Sequence, residues 1–471
     1  MERSACAALY PRAGLGRAMQ LAPALSDRLG LYPGQNVQLC TKTRQALVHV
    51  ETAAPQPEDR VEDRVYVDAF LMQRLHLPPG WPLRLRAASD GRVHVGPFVG
   101  ILCHRDGAGS PYGPQTTFFR RLIRIGRLLN MVVYVFEPAD LQRQVGAVAG
   151  WTWLDGRGWV RRLFPLPDVL YDRGYVTPPV LRLQRWLRRQ GVQQFNSLVG
   201  SKWWVYRLMH RFPDLAPYIP ETRVLRTTAD LAGMVRRHGT VYVKAAGGGK
   251  GIGIWVISTS SRGGYTYRYT DAQARIHRGR TTNLGAIVQH LLLRPRQPWL
   301  IQPRIDLARW RGRIFDVRVL VQRDARGEWQ ITGTGARIGR PGSIISNLYG
   351  GGEAWPLEPV VMESLGMTEA QAAAVRRRVE QIALRVAQEI DFACRRTGYV
   401  GELGIDIGID RSGRLWFFEA NSRTGRNLFR QAGLHDASRL ADRRPLEFAL
   451  HLSGFGGLVM GAAESLAQGF A

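Results

Sequence analysis

The residues best suited to do chemistry lie late in the chain. They fall in Gly401-Glu-Leu-Gly-Ile-Asp-Ile-Gly-Ile-Asp410 and Arg414-Leu-Trp-Phe-Phe-Glu-Ala-Asn421, joined by Arg411-Ser412-Gly413. The alternation predicts a β-hairpin with Leu403, Ile405, Ile407 and Ile409 facing a core and Glu402, Asp406 and Asp410 on the other face. The return strand brings Glu419 and Asn421 beside Asp406. Two carboxylates and an amide carbonyl make an all-oxygen donor set, suited to Mg²⁺ completed by phosphates and water. Zinc would call for His or Cys, and neither is nearby. An amphipathic surface hairpin would alternate in the same way. The run Trp416, Phe417, Phe418 argues instead for burial, where unpaired carboxylates are costly.

A second stretch, Val241-Tyr-Val-Lys-Ala-Ala-Gly-Gly-Gly-Lys-Gly-Ile-Gly-Ile-Trp-Val-Ile-Ser258, reads as two strands around a glycine-rich turn. Gly247, Gly248, Gly249 and Gly251 would let backbone N–H groups approach phosphate oxygens, with Lys244 on the first strand and Lys250 in the loop. It is not a Walker A loop, since Gly251 stands where Ser or Thr would follow the lysine. A glycine-rich hairpin without a ligand is the plainer alternative. A third stretch holds Trp299-Leu-Ile-Gln-Pro-Arg-Ile305 and then Gly312-Arg-Ile-Phe-Asp-Val-Arg-Val-Leu-Val-Gln322. Phe315, Val317, Val319 and Val321 share one face of that strand, and Asp316 and Arg318 the other. An arginine there could stabilise a transferring phosphoryl group or simply sit at the surface. Ala336-Arg337-Ile338, Ser346-Asn347-Leu348 and Gly350 to Gly352 follow.

These stretches need a sizeable scaffold, and 471 residues allow two or three domains. Residues 1–95 read as short strands, including Val37 to Cys40, Ala46 to Val50 and the region Arg84 to Val95, in a small β-rich domain with a loop from Pro55 to Arg64. From Gly96-Pro97, a strand at Phe98 to Leu102, a helix over Thr117 to Leu129 and a strand at Met131 to Phe136 form a β-α-β unit, the mark of a parallel sheet. A strand near Pro165 to Tyr171 and a basic helix over Pro179 to Gln190 complete residues 96–195. Residues 196–455 mix strands and helices. There a Thr368/Gln371 capping box opens a long helix with Val375, Val379, Ile382, Val386 and Ala393 on one face, ended by Gly398. Residues 456–471 form a tail. The fold class expected is α/β and α+β, multidomain.

Composition narrows the function. The net charge is +27, yet only four of the 65 basic residues are lysine, namely Lys42, Lys202, Lys244 and Lys250. The arginines are dispersed, as in a solvated surface, so specific nucleic-acid binding is not expected. Scattered Cys6, Cys40, Cys103 and Cys394 form no disulfide or zinc pattern. No secretory leader and no apolar run of roughly 18 residues is seen, so a reducing cytosol without membrane attachment is predicted.

The order Lys202 before a helix, Lys244 before a glycine loop, Gln302 to Ile305, Asp316-x-Arg318 and Asp406…Glu419-x-Asn421 resembles the ATP-grasp superfamily over roughly residues 196–429. With Gly96 to Ile101, Gly401 to Asp406 and the small β domain, it resembles more closely the YheC/YheD family of endospore coat-associated ATP-grasp proteins. The resemblance implies a pre-ATP-grasp domain over 96–195 and a nucleotide held between two subdomains of the ATP-grasp domain. It implies ATP and Mg²⁺ as cofactors, with Lys202 and Lys244 on the α- and β-phosphates and Gly247 to Gly251 as a lid. The hinge Gln302, Pro303, Arg304 and Ile305 would hold adenine, Arg318 and Arg337 would serve the γ-phosphate, and Asp406, Glu419 and Asn421 would hold the metal. It also implies a carboxylate–amine ligase with an unnamed carboxylate and nucleophile, or alternatively a nucleotide-binding structural or regulatory protein of the spore coat without turnover, with coat proteins as partners. One departure concerns Ser422-Arg-Thr-Gly-Arg-Asn427, which lacks the Lys-Pro expected there. Arg423 and Arg426 could bind an acidic substrate or be surface residues.

Overall fold

The computed structural model describes residues 2–53, 64–105, 112–197, 199–247, 253–271, 275–293, 298–343, 346 and 351–456. The loop expected from Pro55 falls almost wholly outside these residues, as do Asn347, Leu348, Gly350 and all but the first residue of the tail.

The first seven strands close into a barrel in the order Arg3–Arg12, Arg64–Asp68, Ala18–Leu21, Gln45–Thr52, Asn36–Cys40, Arg92–Gly96 and Pro82–Ala87. Closure removes the free edges that short strands would otherwise expose. Alternate residues such as Leu9, Val48, Val50, Val65 and Val67 fill its interior. The next sheet has a parallel centre of Val132–Phe136, Phe98–Leu102, Val169–Asp172 and Gln193–Phe195. The Thr116–Leu128 helix packs on it, and an antiparallel hairpin, Ala147–Leu154 with Gly158–Pro165, extends one side.

Two antiparallel sheets follow. One runs Arg223–Leu225, Trp299–Pro303, Thr240–Ala245, Trp255–Thr259, Tyr265–Thr270, Ile276–Thr281, with the helices Thr228–His238 and Leu284–Leu292 on one face. The other runs Glu353–Pro356, Trp329–Ile338, Arg313–Arg323, Glu402–Ile409, Leu415–Asn421. The Glu369–Cys394 helix covers its aliphatic face behind the expected Thr368/Gln371 capping box. Val379, Ile382 and Val386 are buried as expected, but Ala393 is exposed. A seven-residue repeat drifts by about 20° per heptad on a straight helix, so Ile390 and Cys394 take the core positions instead. The helix stops at Cys394, before Gly398, whose φ of 133° serves the turn that follows. No helix among the described residues is long and apolar enough to cross a membrane.

The parallel sheet and the last sheet are joined by a buried ionic knot. Glu402 is fully buried and accepts hydrogen bonds from the Tyr171 hydroxyl, Arg173 Nη1 at 3.0 Å, Gln322 Nε2 at 2.9 Å and Arg426 Nη2. Arg426 also donates to the Ala441 carbonyl at 2.9 Å, tying in the His435–Ser453 helix. Removing one partner of a buried pair strands the other charge, which costs about 3–5 kcal/mol. Glu402→Ala is therefore expected to lower stability by that order in urea unfolding, far beyond a surface substitution. A change within experimental error would mean that the knot is not what joins the two sheets.

Candidate nucleotide and metal site

Backbone register decides which charges meet. Asp406 lies directly opposite Arg318 on one side and opposite Glu419 on the other, while Asp316 lies opposite Arg337. Directly opposed residues of antiparallel strands share a face, so these five side chains converge on the floor of the last sheet. Asp406 accepts from Arg318 Nη2 at 2.9 Å and from Arg337 Nη2 at 2.9 Å. Arg337 Nε donates to Asp316 at 2.8 Å, and Arg318 Nη1 donates to the Thr424 hydroxyl at 2.9 Å. A register shift after Asp406 leaves Phe418 as the extra residue of the return strand. Glycine is required on either side of the carboxylate: a Cβ on Gly404 would strike Thr424, and one on Gly408 would strike the Phe418 ring. The alternation of glycine and acid along this strand is thus a packing requirement as well as a chemical one.

The two lysines come from different elements: the Lys202–Met209 helix, packed against the last sheet, and the Thr240–Ala245 strand of the other antiparallel sheet. Ser201 caps the Lys202–Met209 helix, which sets Lys202 Nζ 2.8 Å from Glu419 Oε2. Asn421 Nδ2 donates to Glu419 Oε1 at 2.9 Å, which leaves its amide oxygen for another partner. Burial acts to raise the Glu419 pKa, but Lys202 and Asn421 hold it well below the usual carboxylate range. Asp406 is shifted upward by burial, with a further push from Glu419, only partly offset by the two guanidiniums. A cation between the two carboxylates would relieve that push. Among the described residues no group of three or more His, Cys, Asp and Glu gathers as a metal site. The set here is two carboxylates completed by an amide oxygen, and these hard donors fit Mg²⁺.

Lys244 Nζ donates to the Tyr206 hydroxyl at 2.9 Å, and that hydroxyl donates to the Phe418 carbonyl. Tyr206 was not singled out in the sequence, although it stands four residues after Lys202 on the same helix face. Thr424 was likewise missed. Its role depends on the chain doubling back onto Gly404, which leaves no local signal. Gly247 ends the described part of the glycine loop; Gly248, Gly249, Lys250 and Gly251 lie outside the described residues. In the hinge, Gln302 Nε2 donates to Thr222 at 2.7 Å and Arg304 is exposed. Pro303, Arg304 and Ile305 also border a cleft of about 440 Å³ shared with His238, Arg414 and Trp416, whose lining includes neither lysine nor the carboxylate pair. Arg423 is half-buried and reaches Asp172 at 3.5 Å. Arg426 corrects an expectation: it is neither an exposed acceptor contact nor a surface residue, because its charge is consumed by Glu402.

Cationic Lys202, Lys244, Arg318 and Arg337 outnumber the carboxylates Asp316, Asp406 and Glu419, so the site is poised for an anion. Burial lowers the Lys244 pKa to about 8, with Glu419 and Asp406 only partly opposing. The sign follows from desolvation, which disfavours the charged amine; an arriving phosphate should push the value back up. With four lysines in the chain, ¹³C-ε NMR can follow each. Lys244 is expected to titrate near pH 8 in the free protein and higher with Mg·ATP, and titration near 10.4, the unperturbed value, would refute its burial.

Residues 191–452 match the YheC/D-like ATP-grasp family. The endospore coat-associated protein YheD of Bacillus subtilis (strain 168) is 29% identical over 409 residues, covering 83% of this chain and 86% of that protein. The endospore coat-associated protein YheC of the same organism is 24% identical over 279 residues, covering 57% of this chain and 73% of that protein. Among solved structures, D-alanyl-alanine synthetase A from Vibrio cholerae aligns with a TM-score of 0.43 at 13% identity, covering 76% of this chain and 98% of that one. With more than half of its length matched, and with the lysine, arginine and carboxylate stretches inside the match, the chain belongs to the YheC/D-like ATP-grasp family.

Proposed function

We propose that the chain is a Mg·ATP-dependent ligase that activates a carboxylate as an acylphosphate for attack by an amine or similar nucleophile. The observation that carries this reading is the opposed pair Asp406 and Glu419, ringed by Lys202, Lys244, Arg318 and Arg337. Asp406, Glu419 and the Asn421 amide oxygen would hold Mg²⁺, which would supply neutralisation of phosphate charge. Lys202 and Lys244 would bind the α- and β-phosphates. The Pro303 carbonyl accepts from the adenine amino group and the Ile305 N–H donates to the ring. Arg318 and Arg337 turn from Asp406 toward the γ-phosphate and stabilise its charge during transfer. The substrate carboxylate oxygen bonds to the γ-phosphorus as the bond to ADP breaks, and the nucleophile then displaces phosphate from the acyl carbon.

A second reading is a nucleotide-ordered coat protein without turnover. The names of the coat-associated relatives favour it, as does the Ser422–Asn427 loop, which the Thr424 and Arg426 contacts fasten from within. Coat association fits either reading.

Thermal unfolding with a non-hydrolysable ATP analogue tests the site. Saturation to about 100 times Kd should add about 2.7 kcal/mol, a rise of a few degrees, in the presence of Mg²⁺. The Asp406→Asn/Glu419→Gln variant should lose the rise. No rise in the wild-type chain would overturn nucleotide binding, and a rise without carboxylate-dependent ADP release would favour the coat reading.

A further inference from the structure

The sheet that carries Lys244 continues beyond the nucleotide site, and its outer part is charged in an unusual way. Gln302, Tyr242, Val256, Arg268 and Arg278 are successive cross-strand neighbours, so they form one row on one face. Thr240, Ser258, Thr266 and Arg280 form the adjoining row, and the Thr240 hydroxyl donates to Ser258 at 2.9 Å, as a shared face requires. The opposite face is packed through Val241, Val243, Trp255 and Ile257. With strands about 4.8 Å apart, the row runs about 14 Å from Tyr242 to Arg278. Arg268 and Arg304 lie close enough to Tyr242 to lower its hydroxyl pKa against the larger raising effect of burial, which links the row to the cleft side of the sheet.

Arg268 and Arg278 stand directly opposite each other, a like-charge pairing that destabilises a sheet. Among the described residues neither makes a hydrogen bond or ion pair, and Arg280 donates only to the Ser260 hydroxyl, at 2.8 Å. Half-buried arginines elsewhere show the usual arrangement: Arg376 meets Glu358 and Glu380, and Arg385 meets Asp214 and Glu389. Among the described residues the Ile276–Thr281 strand pairs on one side only, so its outer edge offers backbone groups for a further strand. Edge charges guard a strand against self-association, but that purpose does not call for Arg268 on the inner strand. An extended peptide added to the edge places alternate side chains about 7 Å apart, the spacing of Arg278 and Arg280.

We propose that this outer sheet face docks an extended acidic peptide, added as a strand along Ile276–Thr281 with its carboxylates against Arg268, Arg278 and Arg280. The proposal rests on the carboxylate-activating function above and names its substrate class: a polypeptide bearing Asp or Glu side chains, one of which is led along the row to the phosphate end. A carboxylate-bearing chain is favoured over nucleic acid because the row leads to chemistry that requires a carboxylate.

Fluorescence anisotropy of labelled poly-L-glutamate against the full chain tests this. Binding that weakens with salt is expected, with affinity falling at least tenfold in Arg268→Gln/Arg278→Gln/Arg280→Gln and largely kept when the same three are changed to Lys. The Gln variant should keep the nucleotide-dependent thermal shift, and amide exchange across 276–281 should slow on poly-L-glutamate binding. Equal binding by wild type and Gln variant, unchanged exchange at that edge, or tighter binding of a charge-matched single-stranded oligonucleotide lost on the same substitutions would each overturn the proposal. Anisotropy needs no turnover, so its failure is separable from failure of the nucleotide shift, which bears on the proposed function.

Discussion

Every residue of the Glu402–Ile409 strand is buried, yet alternate positions on one of its faces carry Glu402 and Asp406. Carboxylates taken out of water are tolerated only when paired and hydrogen-bonded. That constraint gathers the parallel sheet and the last sheet around the strand. On its aliphatic face Leu403, Ile405, Ile407 and Ile409 meet the long helix. On its polar face each carboxylate needs guanidinium partners, and these come from different elements. Glu402 takes Arg173 from the parallel sheet and Arg426 from the loop after the hairpin, while Asp406 takes Arg318 and Arg337 from the two preceding strands.

The two acids differ in what can replace those partners. Glu402 is closed in by Tyr171, Gln322 and the two arginines, with every donor anchored in a core. Asp406 borders a region where Lys202, Asn421 and Tyr206 meet, and its neighbour Glu419 is matched by an ammonium on a flexible stem. One network fastens two sheets; under the proposed function the other exchanges its cations for a ligand's. Gly404 and Gly408 keep these uses apart in space, because each gives up its side-chain volume to Thr424 or Phe418 and so fixes the walls around Asp406.

Much of this was legible from alternation alone. The two faces of the Glu402–Ile409 and Arg313–Arg323 strands, the capping box at Thr368 and the pairing of Asp406 with Glu419 follow from short-range pattern. What could not be read is long-range. The barrel needs strands at Arg3–Arg12, Ala18–Leu21 and Arg64–Asp68 whose partners lie far along the chain, and nothing local announces closure. The Ala147–Leu154 and Gly158–Pro165 hairpin went unassigned for a similar reason, since its outer strand is half-exposed and carries Arg161 and Arg162. Arg426 reads from sequence as a substrate contact or a surface residue because the acid that neutralises it, Glu402, is 24 residues away.

The choice between lysine and arginine obeys the same constraint. Arginine stays charged when buried, so it suits positions whose partner is built into the fold, such as Arg173 and Arg426 on Glu402. A lysine taken out of water lowers its pKa, so its charge weakens as the pH rises through that value. Lys244, half-buried and with the Tyr206 hydroxyl as its hydrogen-bond partner among the described residues, is such a position. An arginine at that position would stay charged at every pH, whereas the lysine there has a charge that responds to what lies beside it.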